Sequence, residues 1–186
     1  ALVLQYIAGG INIKAAEADA MYAGIVIDTN NFTNQTGVRT FEAAAFLRRN
    51  GADVTRVRKL FRDDMQDYKA RAAAISSAEI YREAFSIGVC PSEGLPSPTI
   101  VCAQAANELL EIKGIKASVV MTEYHGLIYL SARSIDEVNV QVMMEKLGGG
   151  GHRTIAGAQL SGISMEEAKD RVKAVIDEML QKGDIS

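Results

Sequence analysis

KASVVMTEYHGLIYLSAR, residues 116–133, decides the fold class. Its two runs, KASVVMTEY and LIYLSAR, are rich in β-branched and aromatic residues and meet at His125 and Gly126. Two strand-like runs joined through such a pair are the signature of an antiparallel hairpin. Strand side chains repeat every second residue, so Ser131 and Arg133 share one face, presenting a hydroxyl and a planar cationic fork together. Arginine suits two-point contact with a phosphate or a base edge, while a solvated strand-end arginine fits the same spacing.

Working outward from the hairpin, AEIYREAFSIGVC (78–90) alternates as a strand and SEGLPSP (92–98) is turn-forming. TIVCAQAANELLEIKG (99–114) then reads as a helix closed by Gly114. Downstream, VNVQVMMEKL (138–147) reads as a helix, with Met143 and Met144 packed inward. HRTIAGAQLSG (152–162) reads as a short helix and then a strand. The last helix carries Ser164 and Glu167 as a capping box, Met165, Ala168, Val172, Val175, Ile176 and Met179 at helical spacing, and Gly183 as terminator. The expected class is α/β of the α+β kind, with helices around one mixed sheet.

The amino-terminal third differs. KAAEADAMYAGIVI (14–27) sets helix against buried strand, and its alanines favour helix. TFEAAAFLRRNG (40–51) predicts an amphipathic helix with Thr40 as cap, Phe41, Ala44, Ala45 and Leu47 inward, and Gly51 as stop. A short helix from Asp53 to about Phe61, with Val54, Val57, Leu60 and Phe61, is its expected partner. These readings divide the chain into a helical piece (1–62), a helical connector (63–77) and an α+β domain (78–186). The opening run ALVLQYI has neither an initiator Met nor a polar lead-in and reads as a cut through a larger protein.

The 186 residues carry 20 Lys plus Arg against 23 Asp plus Glu, a net charge of −3, with 48% hydrophobic and 23% charged residues. That is the composition of a globular protein able to bury roughly 70% of its unfolded surface. Mild acidity argues against a sequence-blind coat for duplex nucleic acid, whose affinity comes from cations on phosphates. No apolar run approaches the ~18 residues that cross a bilayer, so no membrane contact is expected of these residues. Cys90 and Cys102 form no metal or disulfide pattern and read as reduced packing residues of a cytoplasmic protein.

The loudest signal is Gly148, Gly149, Gly150 and Gly151 followed by His152. Each glycine costs roughly 0.5–1 kcal/mol of backbone order relative to alanine, so four together suit a main chain that must come very close to something. Bare N–H groups can converge on an anion, and a short helix starting at His152 would add its positive end. His152-Arg153-Thr154 stands where a Walker loop needs Lys-Ser/Thr, so this is no Walker loop, and a flexible connector fits the run as well. Asp28 closes an apolar run and suits either a cap or one ligand of a hard metal. His125 in the hairpin turn reads as solvated.

Together GIVIDTNNF (24–32), RTFEAAAFLR (39–48), LSARS (130–134) and NVQVMMEKLGGGGH (139–152) resemble the C-terminal part of the DHH phosphoesterase family, within it the membrane-bound, GGDEF-containing cyclic-di-AMP phosphodiesterases of Gram-positive bacteria. The resemblance implies the helical tail of a DHH catalytic lobe followed by a DHH-associated substrate-binding domain. It implies two manganese ions held by carboxylates and histidines, with Asp28 as one ligand. Ser131, Arg133, Ser134, Gly148 to Gly151 and His152 would hold the nucleotide's phosphate and base. The implied reaction is attack of a metal-activated water on one phosphodiester of cyclic-di-AMP, giving the linear dinucleotide. The DHH triplet and the earlier aspartates of the pattern do not occur here, so the catalytic set is incomplete, the manganese site is incomplete, and the chain alone is expected to lack turnover. The resemblance also implies a homodimer and a membrane-anchored parent with this part facing the cytoplasm. A nanoRNA or 3′-phosphoadenosine phosphatase relative, acting on short oligonucleotides, and a non-catalytic nucleotide-binding module stand as alternatives.

Overall fold

The computed structural model describes residues 3, 12–33 and 36–183; apart from Val3, the run ALVLQYI lies outside them. The chain divides after residue 63 into two compact units.

In the first unit the alanine-rich row resolves as helix α1 (Ala15–Asp28). Helix α2 (Val38–Arg49) starts three residues earlier than expected. Gly37 is its cap, and Thr40 acts inside the first turn, its Oγ1 accepting from the Gly37 N–H at 3.4 Å. Fully buried Leu47 sets the phase of α2, so Ala43 and Ala44, four and three residues before it, face inward while Phe41 and Ala45 stay exposed. Phe41 stacks instead on Phe32, with ring centroids 5.5 Å apart. Helix α3 (Val54–Leu60) is capped by Asp53 and packs on α1. It buries only Val57, leaving Val54, Leu60 and Phe61 exposed. A polar link replaces the expected apolar one: Asp19 of α1 accepts from Arg56 Nε at 2.7 Å and from the Asp53 N–H at 2.7 Å. Ile13, Ala18, Leu47 and Ala52 form the small core.

The second unit opens with α4 (Met65–Ser76), the segment expected to be a connector. It is a packed element: Ala70 and Ala74 bury against α5 (Pro98–Leu109). The row expected as one strand folds back on itself as β1 (Glu79–Tyr81) and β2 (Phe85–Val89), because Arg82 and Glu83 adopt left-handed backbone angles of +48° and +62°. Chain order continues through α5, β3 (Ala117–Tyr124), β4 (Leu127–Ser134), α6 (Val140–Glu145), β5 (Gly150–Gly151), β6 (Ile155–Ser161) and α7 (Met165–Lys182).

The six strands make one mixed sheet in the order β1-β2-β3-β4-β6-β5. Strands β2 and β3 are parallel, joined by the α5 crossover, and the other pairs are antiparallel. The decisive hairpin is present, its turn made by His125 and Gly126 at φ +50° and +75°. Consecutive positive φ angles match the right-handed twist of the flanking strands. One face buries Val119, Met121 and Leu130 against α6, which contributes Met143 and Met144, and against α7. Ser164 Oγ caps α7 by accepting from the Glu167 N–H, and Gly183 ends it at φ +74°. The opposite face packs under α4 and α5. No helix among the described residues is long and apolar enough to cross a membrane.

Candidate functional site

Strand β4 alternates strictly, with Ile128, Leu130, Ala132 and Ser134 buried and Tyr129, Ser131 and Arg133 half-buried on the α5 face. Helix α5 covers that face over β3. The Ser118 hydroxyl donates to the Ala106 carbonyl at 2.6 Å, and the Cys102 thiol donates to the Val120 carbonyl at 3.1 Å. Past β4 the cover ends, and Gln159 of β6 is exposed. The gap is a cleft of about 570 Å³. Thr99 of α5 bounds it on one side, Gly148 and Gly149 on the other, and Tyr129, Ser131, Gly157 and Gln159 lie between.

Three of the four glycines have a reason inside the protein. Gly148 turns the chain at φ +79°. A Cβ on Gly149 would lie 2.1 Å from the Gly157 carbonyl oxygen, and one on Gly151 would lie 2.5 Å from Ala156 Cα. The loop therefore rests main chain against main chain on β6, as the pairs Gly150–Gly157 and Gly151–Ala156 record. Gly150 differs: it needs no positive φ, and a Cβ there would meet nothing within 4 Å. This backbone is ordered as a strand pair, which replaces the connector reading.

No helix begins at His152. The His152 N–H donates to the Ile155 carbonyl at 2.7 Å and the Ile155 N–H returns to His152 at 3.2 Å, closing a two-residue turn between β5 and β6. The helix-dipole contribution expected there is absent, because Arg153 and Thr154 are consumed in turning the chain. Arg153 binds Asp136, and its carbonyl accepts from the Val140 N–H. The His152 side chain is exposed beside this turn.

Arg133 follows Ser131 on the same face. Its Nε donates to Asn107 Oδ1 of α5 at 3.0 Å, and one terminal nitrogen donates to the Ala132 carbonyl at 2.9 Å. Both partners are neutral, and no carboxylate pairs with Arg133 among the described residues. Burial lowers its pKa from the ordinary arginine value, although a guanidinium stays protonated. Ser134 stands apart from these residues: it faces the core, where its hydroxyl donates to the Val138 carbonyl at 2.6 Å. Burial pushes the Cys102 thiol up to about 12 and the Cys90 thiol up to about 11, so neither is a thiolate nucleophile near neutral pH.

Asp28 belongs to the first unit and is the exposed last residue of α1. It precedes a turn in which Asn30, Asn31 and Phe32 all take left-handed angles of +44°, +57° and +65°. The Thr29 hydroxyl holds that turn, donating to the Ile25 carbonyl at 2.7 Å and accepting from the Phe32 N–H at 2.9 Å. No group of three or more His, Cys, Asp and Glu side chains that could hold an ion occurs among the described residues. The described residues therefore do not make up a two-manganese shell, and Asp28 stands in it as a single exposed carboxylate.

Residues 97–182, the span from the α5 cap through α7, match the DHHA1 domain. That stretch of the chain is a DHHA1 domain. Over 183 residues it is 41% identical to cyclic-di-AMP phosphodiesterase GdpP of Bacillus subtilis, covering 97% of this chain and 28% of that protein. It is 43% identical over 162 residues to cyclic-di-AMP phosphodiesterase PdeA of Listeria monocytogenes, covering 87% of this chain and 24% of that one. The chain thus spans about a quarter of the length of these relatives. Its fold matches that of an exopolyphosphatase-related protein from Bacteroides fragilis, with a TM-score of 0.80 at 21% identity over 90% of this chain and 51% of that one.

In this DHHA1 domain the structure gathers Ser131, Gly148 and Gly149 at one cleft, with Gly150 on the adjoining edge strand and Arg133 one strand step beyond Ser131. Thr99, Tyr129 and Gln159 line the same cleft and were not singled out from the sequence. Tyr129 was within reach of that reading, since it lies two residues before Ser131 and shares its face. Gln159 and Thr99 arrive only through the β4–β6 register and the crossover helix.

Proposed function

We propose that the chain is the substrate-holding part of a phosphodiesterase that hydrolyses cyclic-di-AMP to the linear dinucleotide. Arg133, Ser131, the Gly148–Gly151 backbone and His152 hold phosphate and base. The observation that carries this reading is Arg133: a half-buried cation whose described bonds run to two neutral oxygens. Partial desolvation of an uncompensated charge is costly, and a phosphate arriving on the α5 face supplies the missing negative charge. Gly150, bare with open space around its Cβ position, leaves the edge-strand amide approachable.

The chain's residues bind, orient and screen. Asn107 fixes the Arg133 fork from one side, leaving its remaining N–H groups for a phosphate oxygen. Ser131 adds a hydroxyl on the same strand face, and the glycine loop closes the opposite wall. Manganese, when bound, would supply the activated water, and it would need ligands besides Asp28. With no DHH triplet in the sequence, binding without turnover is the expected behaviour of these 186 residues.

Calorimetric titration of this chain with cyclic-di-AMP tests the reading. Arg133→Ala is expected to weaken binding by about 1.5–3 kcal/mol, the worth of a hydrogen bond to a charged group, or roughly tenfold to a hundredfold. Unchanged affinity in the variant, or no binding by the parent chain, would overturn it.

A further inference from the structure

The cleft has two chemically different ends. Its lining, from Thr99 and Tyr129 to Gly157 and Gln159, contains no charged side chain. The cation, Arg133, lies beyond the lining, at the far end of β4. An anion therefore belongs at the Arg133 end, and the uncharged end is suited to a neutral ring.

Tyr129 and Gln159 are direct partners across β4 and β6, so they share a face with their Cβ atoms roughly 5 Å apart. In the next row on that face Ser131 faces Gly157, whose missing side chain leaves a flat floor. The Tyr129 ring has an aromatic neighbour: Tyr124 lies 6.4 Å from it at 54°, and His125 packs on Tyr124 at 3.9 Å. A ring placed in this way is a ready stacking surface for a nucleobase. The Gln159 side chain is exposed and makes no hydrogen bond among the described residues, so its carboxamide is available to a ligand.

A carboxamide offers one acceptor and a donor side by side. Adenine presents the complement, the N6 amino group beside the N7 acceptor, whereas guanine presents two acceptors, O6 and N7, on the same edge. We infer that Tyr129 and Gln159 form the base subsite of this cleft, with Tyr129 stacking on the ring and Gln159 selecting adenine over guanine. This deepens the proposed function and rests on it.

The test compares cyclic-di-AMP with cyclic-di-GMP by calorimetry on the full 186-residue chain. The parent chain is expected to favour the adenine ligand by about tenfold or more. Gln159→Ala brings the ratio close to one. Gln159→Arg, whose fork matches O6 and N7, raises affinity for the guanine ligand above that of the parent chain. Tyr129→Ala weakens both ligands by a similar factor and leaves the ratio in place, because stacking tolerates any base. If both ligands bind, Arg133→Ala weakens them and Gln159→Ala leaves the ratio unmoved, the base subsite is wrong while the functional reading stands. If neither ligand binds the parent chain, both fall.

Discussion

Arg56 in the first unit and Arg133 in the second receive opposite treatment. Arg56 meets Asp19 at 2.7 Å and the Gly51 carbonyl at 2.8 Å, so charge and donors are answered within three helical segments. Arg133 is turned toward α5 and answered by a side-chain amide and a main-chain carbonyl, neither of which carries charge. The first arrangement finishes itself on folding. The second leaves positive charge one strand step beyond the cleft lining, a condition that an arriving anion would complete. Local satisfaction marks architecture in this chain, and its absence at Arg133 is what the proposed binding role rests on.

The glycine loop gives the sharpest way to break that contrast, because it holds both kinds of position within four residues. Gly149→Ala drives a Cβ into the β6 main chain, where neither the Gly157 carbonyl nor Ala158 can retreat without opening the ladder. A loss of about 3 kcal/mol is expected, the upper end for overpacking, read as a lowered urea midpoint. Gly150→Ala meets open space and should leave that midpoint within about 0.5 kcal/mol, while weakening cyclic-di-AMP. Equal stability losses at the two positions would dissolve the distinction.

Arginine replacements come next in size. Arg133→Ala should cost binding about 1.5–3 kcal/mol and leave thermal stability close to that of the parent, since it removes a half-buried cation with no described carboxylate partner. Arg56→Ala should do the reverse, lowering stability through the orphaned Asp19 and leaving cyclic-di-AMP affinity unchanged. Melting curves and titrations on the two variants read both halves; a stability loss for Arg133→Ala as large as that for Arg56→Ala would make Arg133 a structural residue.

Much of this architecture was legible because it is written in short-range patterns. The hairpin at His125-Gly126, the α7 stripe and its Ser164 cap, and the inward Met143 and Met144 all follow from period and turn chemistry. Misreadings arose where long-range packing decides. Arg82 and Glu83 reverse the chain without glycine or proline to announce it, and α4 looked like a connector because its buried stripe is alanine, small enough to let α5 approach. At the site, Ser131 and Arg133 could be paired from strand period alone. Ser134 could not be excluded before its neighbour Val138 was seen to take its hydroxyl, and Gln159 needed the register of two strands. The dipole expected at His152 failed because two hydrogen bonds to Ile155 tighten that stretch into a turn before a helix can start.

The smallest expected effect is the pH dependence of stability. The Arg56 hydrogen bond holds the Asp19 carboxyl below its ordinary value of 3.8. Lys146, then Lys182, holds Glu178 down to about 2 from 4.5. A carboxyl whose folded pKa is depressed adds stability that is fully present above its unfolded pKa and disappears as pH falls through the folded one. Glu178 should therefore contribute in full above about pH 4.5 and lose its contribution progressively toward pH 2, while Asp19 begins to lose its share below about pH 3.8. Glu178 pairs at the surface and is screened by solvent, whereas Asp19 is buried against a half-exposed Arg56, so added salt should flatten the Glu178 part of the slope more. Melting curves of Glu178→Gln and Asp19→Asn between pH 2 and 7 should each be shallower in acid than that of the parent chain, and Arg133→Ala should follow the parent slope, since its guanidinium pairs with no carboxylate among the described residues. A shallower acid slope in Arg133→Ala would reveal a carboxylate partner and return that arginine to the self-satisfied class of Arg56.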